Sequence, residues 1–163
     1  MRRILSLSLI ALLAVGAGAC GSDSPTAPVP TIEQTTFAAS LGVDLSKMTK
    51  ALEGYYYQDT QAGTGDIVRL SDSLDVSFNG YLADGTTFAL ANTQVMQLGV
   101  TPVMQGWALG LLGAPIGGRR RLIIPPSLGY GDRAIVDGAN GKVVVPKNSV
   151  LIYDITILRV RGR

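Results

Sequence analysis

The stretch Leu98-Gly99-Val100-Thr101-Pro102-Val103-Met104-Gln105-Gly106-Trp107 holds the only tryptophan of the chain, and its reading decides how the rest is arranged. Val95 to Leu98 has strand character and stops at Gly99. Thr101 suits an N-cap, and Pro102 suits the first helical position, where its missing N–H would have no partner anyway. Val103, Met104, Trp107, Leu111 and Leu112 then recur at helical spacing. This predicts a short helix with one apolar face and with Gln105 and Ala108 turned away from it. Such a face must be buried, so Trp107 is either plain core or the floor of a site.

On either side of this helix the sequence reads as strands. Gly54 to Asp59 is aromatic-rich and is closed by Ala62-Gly63-Thr64-Gly65-Asp66. In Leu74 to Leu82, Val76 and Phe78 share one face while Asp75, Ser77 and Asn79 share the other, which predicts a strand with one wet side. Ala83-Asp84-Gly85 reads as a hairpin turn into a return strand starting at Thr86-Thr87-Phe88, and Ala89 to Gln97 as a loop. After the helix, Arg119 to Ile124 is a strand ended by Pro125-Pro126. Ser127 to Gly131 is a tight or single helical turn, and polar Asp132 to Lys142 a surface loop. Val150 to Val160 is a long strand carrying Leu151, Tyr153, Ile155 and Ile157 on one face. Strands, one helix and strands again imply an α+β fold, an antiparallel sheet wrapped on a short helix.

The N-terminal segment has its own logic. Met1-Arg2-Arg3, the apolar run Ile4 to Val15 and the small residues Gly16 to Ala19 form an export signal, residues 1–19. Cys20, the single cysteine, follows directly, as in a bacterial lipobox, although Ala17 stands where leucine is usual. An ordinary signal peptide with an incidental cysteine is the alternative. A free thiol in an oxidising envelope is a liability, which favours lipidation of Cys20 and anchoring in the bacterial cell envelope, in the periplasm or at the cell surface. Residues 20–31 read as a polar tether, 32–53 as an irregular arm packed on the domain, and 54–163 as the functional domain. The chain of 163 residues has a net charge of +2; without Arg2 and Arg3 it holds 12 basic against 12 acidic side chains, so nucleic acid is not the expected partner.

Histidine is absent and no second cysteine exists, which excludes a zinc site and a Ser-His or Cys-His nucleophile built from this chain. No cofactor is expected. The carboxylates fall on wet faces and turns, where solvation is the ordinary outcome. Arg119-Arg120-Arg121 is expected to send at least two guanidinium groups into solvent, with contact to anionic lipid as a weaker alternative. What remains is concentrated aromatic and aliphatic residues, the makings of an apolar pocket.

Four motifs in order then carry a resemblance: Val76-Ser77-Phe78-Asn79-Gly80-Tyr81 through Thr87-Phe88, Gln97-Leu98-Gly99 to Trp107, Gly129-Tyr130-Gly131, and Val145-Pro146-Lys147-Asn148-Ser149 to Asp154. From about Tyr55 to Val160 the chain resembles the FKBP-type peptidyl-prolyl cis-trans isomerases. The resemblance implies a bent antiparallel sheet curled around one short helix, with proline-containing polypeptides as substrates and macrolides as candidate ligands. It also implies a pocket with Trp107 as its floor and Phe78, Phe88, Val103, Met104, Tyr130, Val145 and Tyr153 around it. The Met104 N–H and the Tyr130 hydroxyl would hold substrate carbonyls, with no acid or base needed.

The chain departs from the family where tyrosine is replaced by Phe78 and where aspartate after the phenylalanine is replaced by Ala89. The segment to Gln97 is short and lacks an arginine, while residues 132–144 are longer than in small members and could cover the cleft or recruit another polypeptide. The expected activity is X-Pro isomerisation in exported or envelope proteins, with reduced activity admitted by the missing polar corner. A non-catalytic chaperone or binding module for apolar or proline-bearing segments is the alternative.

Overall fold

The computed structural model of the protein describes residues 28–162; the leader and Cys20 lie outside them. Six strands form one antiparallel sheet: β1 (Thr49–Lys50), β2 (Tyr56–Gln61), β3 (Ser73–Leu82), β4 (Thr87–Gln97), β5 (Arg119–Ile124) and β8 (Leu151–Arg161), in the order β1-β2-β5-β8-β3-β4. A second, two-stranded sheet pairs β6 (Ile135–Val136) with β7 (Val143–Val145). The helix α1 (Gln105–Leu111) crosses one face of the large sheet. The α+β architecture follows from the order of periodicities, because one short helix can be covered only by a sheet that bends around it.

Two buried layers lie on opposite faces of the sheet. Leu74, Val76, Leu122, Ile124, Tyr153, Ile155 and Ile157 pack against Trp107 and Leu111 of α1. Ile123 and Ile152, the alternate residues of β5 and β8, pack with Ile32, Leu41, Tyr56 and Val150. The period of two in each strand assigns these residues to opposite sides. Residues 28–50 thus cover the second face, through 3₁₀ turns at Ala39–Leu41 and Leu45–Lys47.

Several local expectations are overturned. The helix starts at Gln105, not Pro102, and Met104 is its N-cap residue with φ −59° and ψ 146°. Thr101 does not cap it: its Oγ1 accepts the Gln97 N–H at 2.8 Å and closes the turn out of β4 instead. Leu112 leaves the buried face and is 37% exposed, since the helix ends at Leu111 and the chain turns at Gly113. Ala89 to Gln97 is not a loop but most of β4, paired with β3 through two register shifts. Residues 132–142 belong in part to the β6–β7 hairpin, with Asp137 accepting the Ala139 N–H in its turn.

Three charged residues expected in solvent are also covered. Asp75 does not face water: it is 2% exposed and accepts hydrogen bonds from both Arg159 and Arg161. Leu74 and Val76 on either side of it point into the core, so Asp75 lies on the opposite face of β3. The register shift, which leaves Leu158 of β8 unpaired and sets Arg159 opposite Asp75, lets Arg159 and Arg161 both cover its carboxylate. Among the three consecutive arginines only Arg119 is exposed. Arg120 is 5% exposed and makes a two-point ion pair with Asp59, at 2.7 and 2.9 Å. Arg121 pairs in the same way with Asp154 at 2.7 Å and donates to the Leu41 carbonyl, tying the N-terminal arm to the sheet.

Candidate functional site

Helix α1 sits unusually close to the sheet. A Cβ on Gly106 would lie 2.5 Å from Ile124 Cγ2, and one on Gly110 would lie 2.7 Å from Leu122 Cδ1. One turn apart, the two glycines form a flat stripe against β5 and bring Trp107 down between the strands. The other end of the helix is held from the sheet side. Arg120 Nη1 donates to the carbonyls of Gly110 and Leu112, at 3.0 and 3.2 Å, and the Tyr55 hydroxyl donates to the Leu109 carbonyl. These donors satisfy C-terminal carbonyls that the helix leaves unpaired.

Trp107 is 5% exposed and lies at the centre of an edge-to-face aromatic cluster. Phe78 stands perpendicular to it at 4.9 Å between ring centroids, and Tyr153 at 5.1 Å and 88°. Phe88 meets Tyr153 edge-on at 5.5 Å. The Trp107 Nε1–H finds no oxygen or nitrogen partner among the described residues, so the indole is held by packing, against these rings and the aliphatic core, and not by a hydrogen bond. Each such pair contributes about 0.5–1.5 kcal/mol beyond its buried area.

Above the indole opens a cleft of about 270 Å³, lined by Phe78, Val103, Met104, Trp107, Tyr130 and Tyr153 together with Pro102, Ala89 and Gln94. Six of the eight residues expected at the pocket therefore meet there. The other two do not line it. Val145 is wholly buried in the core, and Phe88 reaches the cleft only through the Tyr153 ring. The 132–144 segment contributes no lining residue. A larger hollow of about 350 Å³ between Pro30, the Ala83-Asp84 turn and Pro146 has no aromatic floor.

The sequence reading missed three contributors. Pro102 and Gln94 line the cleft because the turn after β4 folds back over it. Gly80 lies beneath: a Cβ there would be 2.8 Å from Tyr153 Cε1 and 3.0 Å from Phe88 Cζ, so only a bare backbone lets those rings lie flat on β3. A glycine inside a strand was the available signal.

The electrostatics of the cleft are sparse. Its ionisable side chains are two phenols, and burial, with the neighbouring Tyr130 adding to it, pushes the Tyr153 hydroxyl far above the ordinary tyrosine range. Both hydroxyls can donate or accept hydrogen bonds. Among the described residues no cluster of His, Cys, Asp and Glu could hold a metal ion. What the cleft can do is take an apolar ring onto Trp107 and exclude water from whatever is attached to that ring.

The sequence model of the FKBP-type peptidyl-prolyl cis-trans isomerase family matches residues 64–158, a span that contains every lining residue. The chain belongs to that family. Curated relatives include FK506-binding protein 4 of Chaetomium thermophilum, 36% identical over 126 residues, covering 75% of this chain and 23% of the relative. The FKBP-type peptidyl-prolyl cis-trans isomerase FkpA of Escherichia coli is 35% identical over 127 residues, covering 77% of this chain and 43% of the relative. The chain thus spans under half the length of these FKBP relatives. In three dimensions it superposes on the crystal structure of Escherichia coli FkpA with a TM-score of 0.60 at 29% identity, over 75% of this chain and 55% of the other. With AtFKBP13 the TM-score is 0.62 at 28% identity, over 69% of this chain and 98% of the other.

Proposed function

We propose that the cleft accelerates cis-trans isomerisation of X-Pro bonds, and that it does so by desolvation and shape rather than by proton transfer. The observation that carries this reading is the cleft itself: an indole floor, walls of Phe78, Val103, Met104 and Tyr153, and no carboxylate, imidazole or amine among its lining residues. The barrier to rotation, about 18–20 kcal/mol, comes from amide resonance. Resonance favours the polar planar amide, which water stabilises; the twisted bond is less polar and fits an apolar site better. A cleft that holds the proline ring on Trp107 and strips water from the preceding carbonyl lowers the barrier by binding the twisted form more tightly. In this reading the Tyr130 hydroxyl and the Met104 N–H hold the flanking carbonyls while the bond turns.

Isomerisation of a proline tetrapeptide, followed by a protease-coupled signal, tests the proposal. Turnover that disappears in a Trp107→Leu/Tyr130→Phe variant of unchanged fold supports it; no turnover in the parent protein sinks it. The second reading, a module that grips proline segments without twisting them, is favoured by one observation. Phe78 and Ala89 line the corner where the family resemblance implies a tyrosine and an aspartate. Tight peptide binding without turnover would select it. The fungal relatives are named for binding FK506, and the same floor is the place where a macrolide would bind this chain.

We further propose that the protein is exported and anchored through a lipid on Cys20 in the bacterial envelope, where it acts on exported polypeptides. The support is sequence alone: the basic and apolar leader, the single cysteine directly after small residues, and the polar tether that follows. Incorporation of labelled palmitate that is lost in Cys20→Ser is the expected result; incorporation unchanged in that variant overturns the anchor.

A further inference from the structure

The large sheet has two edges, and they are built differently. At one end β1 is only two residues long and carries Lys50, the kind of short, charged edge that resists pairing. At the other end β4 runs for eleven residues, Thr87-Phe88-Ala89-Leu90-Ala91-Asn92-Thr93-Gln94-Val95-Met96-Gln97, with no charge, no proline and no glycine. Among the described residues only β3 pairs with it. Alternate residues of an edge strand turn their N–H and C=O groups outward, so β4 presents a ladder open to another chain. Its apolar side chains Leu90 and Val95 are 68% and 47% exposed. At its end the Gln97 N–H is taken by Thr101 Oγ1 at 2.8 Å, and within it the Asn92 carbonyl accepts the Thr93 hydroxyl at 2.8 Å.

This edge is continuous with the cleft, because Ala89 and Gln94 belong to both. We infer that β4 binds an extended segment of the substrate polypeptide as an added strand, next to the proline held on Trp107. The inference rests on the isomerase reading for the identity of the occupant. The residue before a proline is already restricted to extended conformations, so a chain leaving the cleft on that side has the backbone a strand partner needs. An uncharged edge with two exposed aliphatic residues fits the apolar stretches of an unfolded chain and offers nothing to a charged one. The free length, from Thr87 to Val95, spans about 30 Å, so segments several residues beyond the proline would contribute to binding. A second copy of this chain is a poorer occupant, since its own β4 would lie across the cleft wall formed by Ala89 and Gln94.

The test compares a proline tetrapeptide, too short to reach along β4, with reduced and carboxymethylated α-lactalbumin, a permanently unfolded chain. Hydrogen exchange on the full-length protein should show β4 amides between Thr87 and Val95 protected by the unfolded chain and unaffected by the tetrapeptide. The Leu90→Lys/Val95→Lys variant should lose about tenfold in affinity for the unfolded chain while tetrapeptide turnover stays within about twofold. No protection of β4 with the unfolded chain bound, or equal binding by variant and parent, overturns the inference. Protection present without any substrate, rising with protein concentration and abolished in the variant, overturns it in favour of a second copy. If tetrapeptide turnover is absent yet β4 is protected by the unfolded chain, the isomerase reading fails and the edge site stands as a polypeptide-binding surface.

Discussion

Replacing Gly80 with alanine should damage the site although Gly80 is not itself a lining residue. The added methyl would sit 2.8 Å from Tyr153 Cε1 and 3.0 Å from Phe88 Cζ, where ordinary contact begins at 3.4 Å. The Tyr153 ring must therefore retreat by about 0.6 Å or more, and its packing against Trp107 at 5.1 Å and Phe88 at 5.5 Å leaves it only the cleft to move into. Gly80 is not among the glycines with positive φ, so alanine brings no backbone strain and the whole effect is steric. Overpacking of this kind costs about 1–3 kcal/mol of stability. A displacement approaching 1 Å in a positioning group costs up to about a hundredfold in rate. We expect a urea midpoint lowered by that energy and kcat/KM on a proline tetrapeptide lowered at least about tenfold. The Gly80→Ala/Phe88→Leu double variant should recover part of the stability, since one of the two clashes is relieved, and less of the activity, since the Tyr153 clash remains. A single variant with parental stability and parental turnover would refute the claim that the aromatic cluster rests on a bare stretch of β3.

Trp107→Leu should lose about 1–3 kcal/mol in both stability and substrate binding, from two ring pairs and part of the indole volume; normal isomerisation by its folded fraction would show that the indole is only core. Ala89→Asp should leave kcat/KM within about threefold, because position 89 is half-exposed beside exposed Gln94 and a carboxylate there stays hydrated; a clear gain would show that the site merely lacked its acid. Arg120→Met should cost about 2–4 kcal/mol in chemical denaturation, leaving Asp59 and the Gly110 and Leu112 carbonyls without their donor, and a cost under 1 kcal/mol would contradict the clamp on α1. Hydrogen bonds from Lys50 and then Tyr56 hold the Glu33 carboxyl down to about 2 from its ordinary 4.5. A lowered carboxyl stabilises the fold above the unfolded value and loses that contribution as pH falls from 4.5 through 2, so Glu33→Gln should lower the urea midpoint at neutral pH and make no difference below pH 2. A gap between the two proteins that persists at the lowest pH would remove the carboxylate from the account. Peptide turnover should be flat across neutral pH, because no carboxylate, imidazole or amine lines the cleft; a bell-shaped profile would require a titrating group that the cleft does not show.

The sequence by itself determined the elements that are regular over many residues. The alternation in Leu151 to Ile157 and in β3, the turn at Asp84-Gly85, and a lone apolar helix between strand runs were enough to specify a sheet bent around a helix. The ordered motifs were enough to place Phe78, Trp107, Tyr130 and Tyr153 in one site. These features are local, since a period of two or of 3.6 assigns side chains to faces before any partner is known. Tertiary structure decided what depends on a partner from elsewhere in the chain. Arg120 is buried because Asp59 and two helix carbonyls meet it, and Asp75, on the outer face of β3, is buried because a register shift in β8 brings Arg159 and Arg161 over it. Thr101 caps no helix because the Gln97 N–H reaches its hydroxyl first. Residues 89–97 form a strand because β3 offers a ladder to pair with, and the same segment, with the rest of β4 uncovered, becomes an open edge. A polar side chain or a weakly patterned segment is indifferent between solvent and burial until its partner is in place, and that choice is not written in the local pattern.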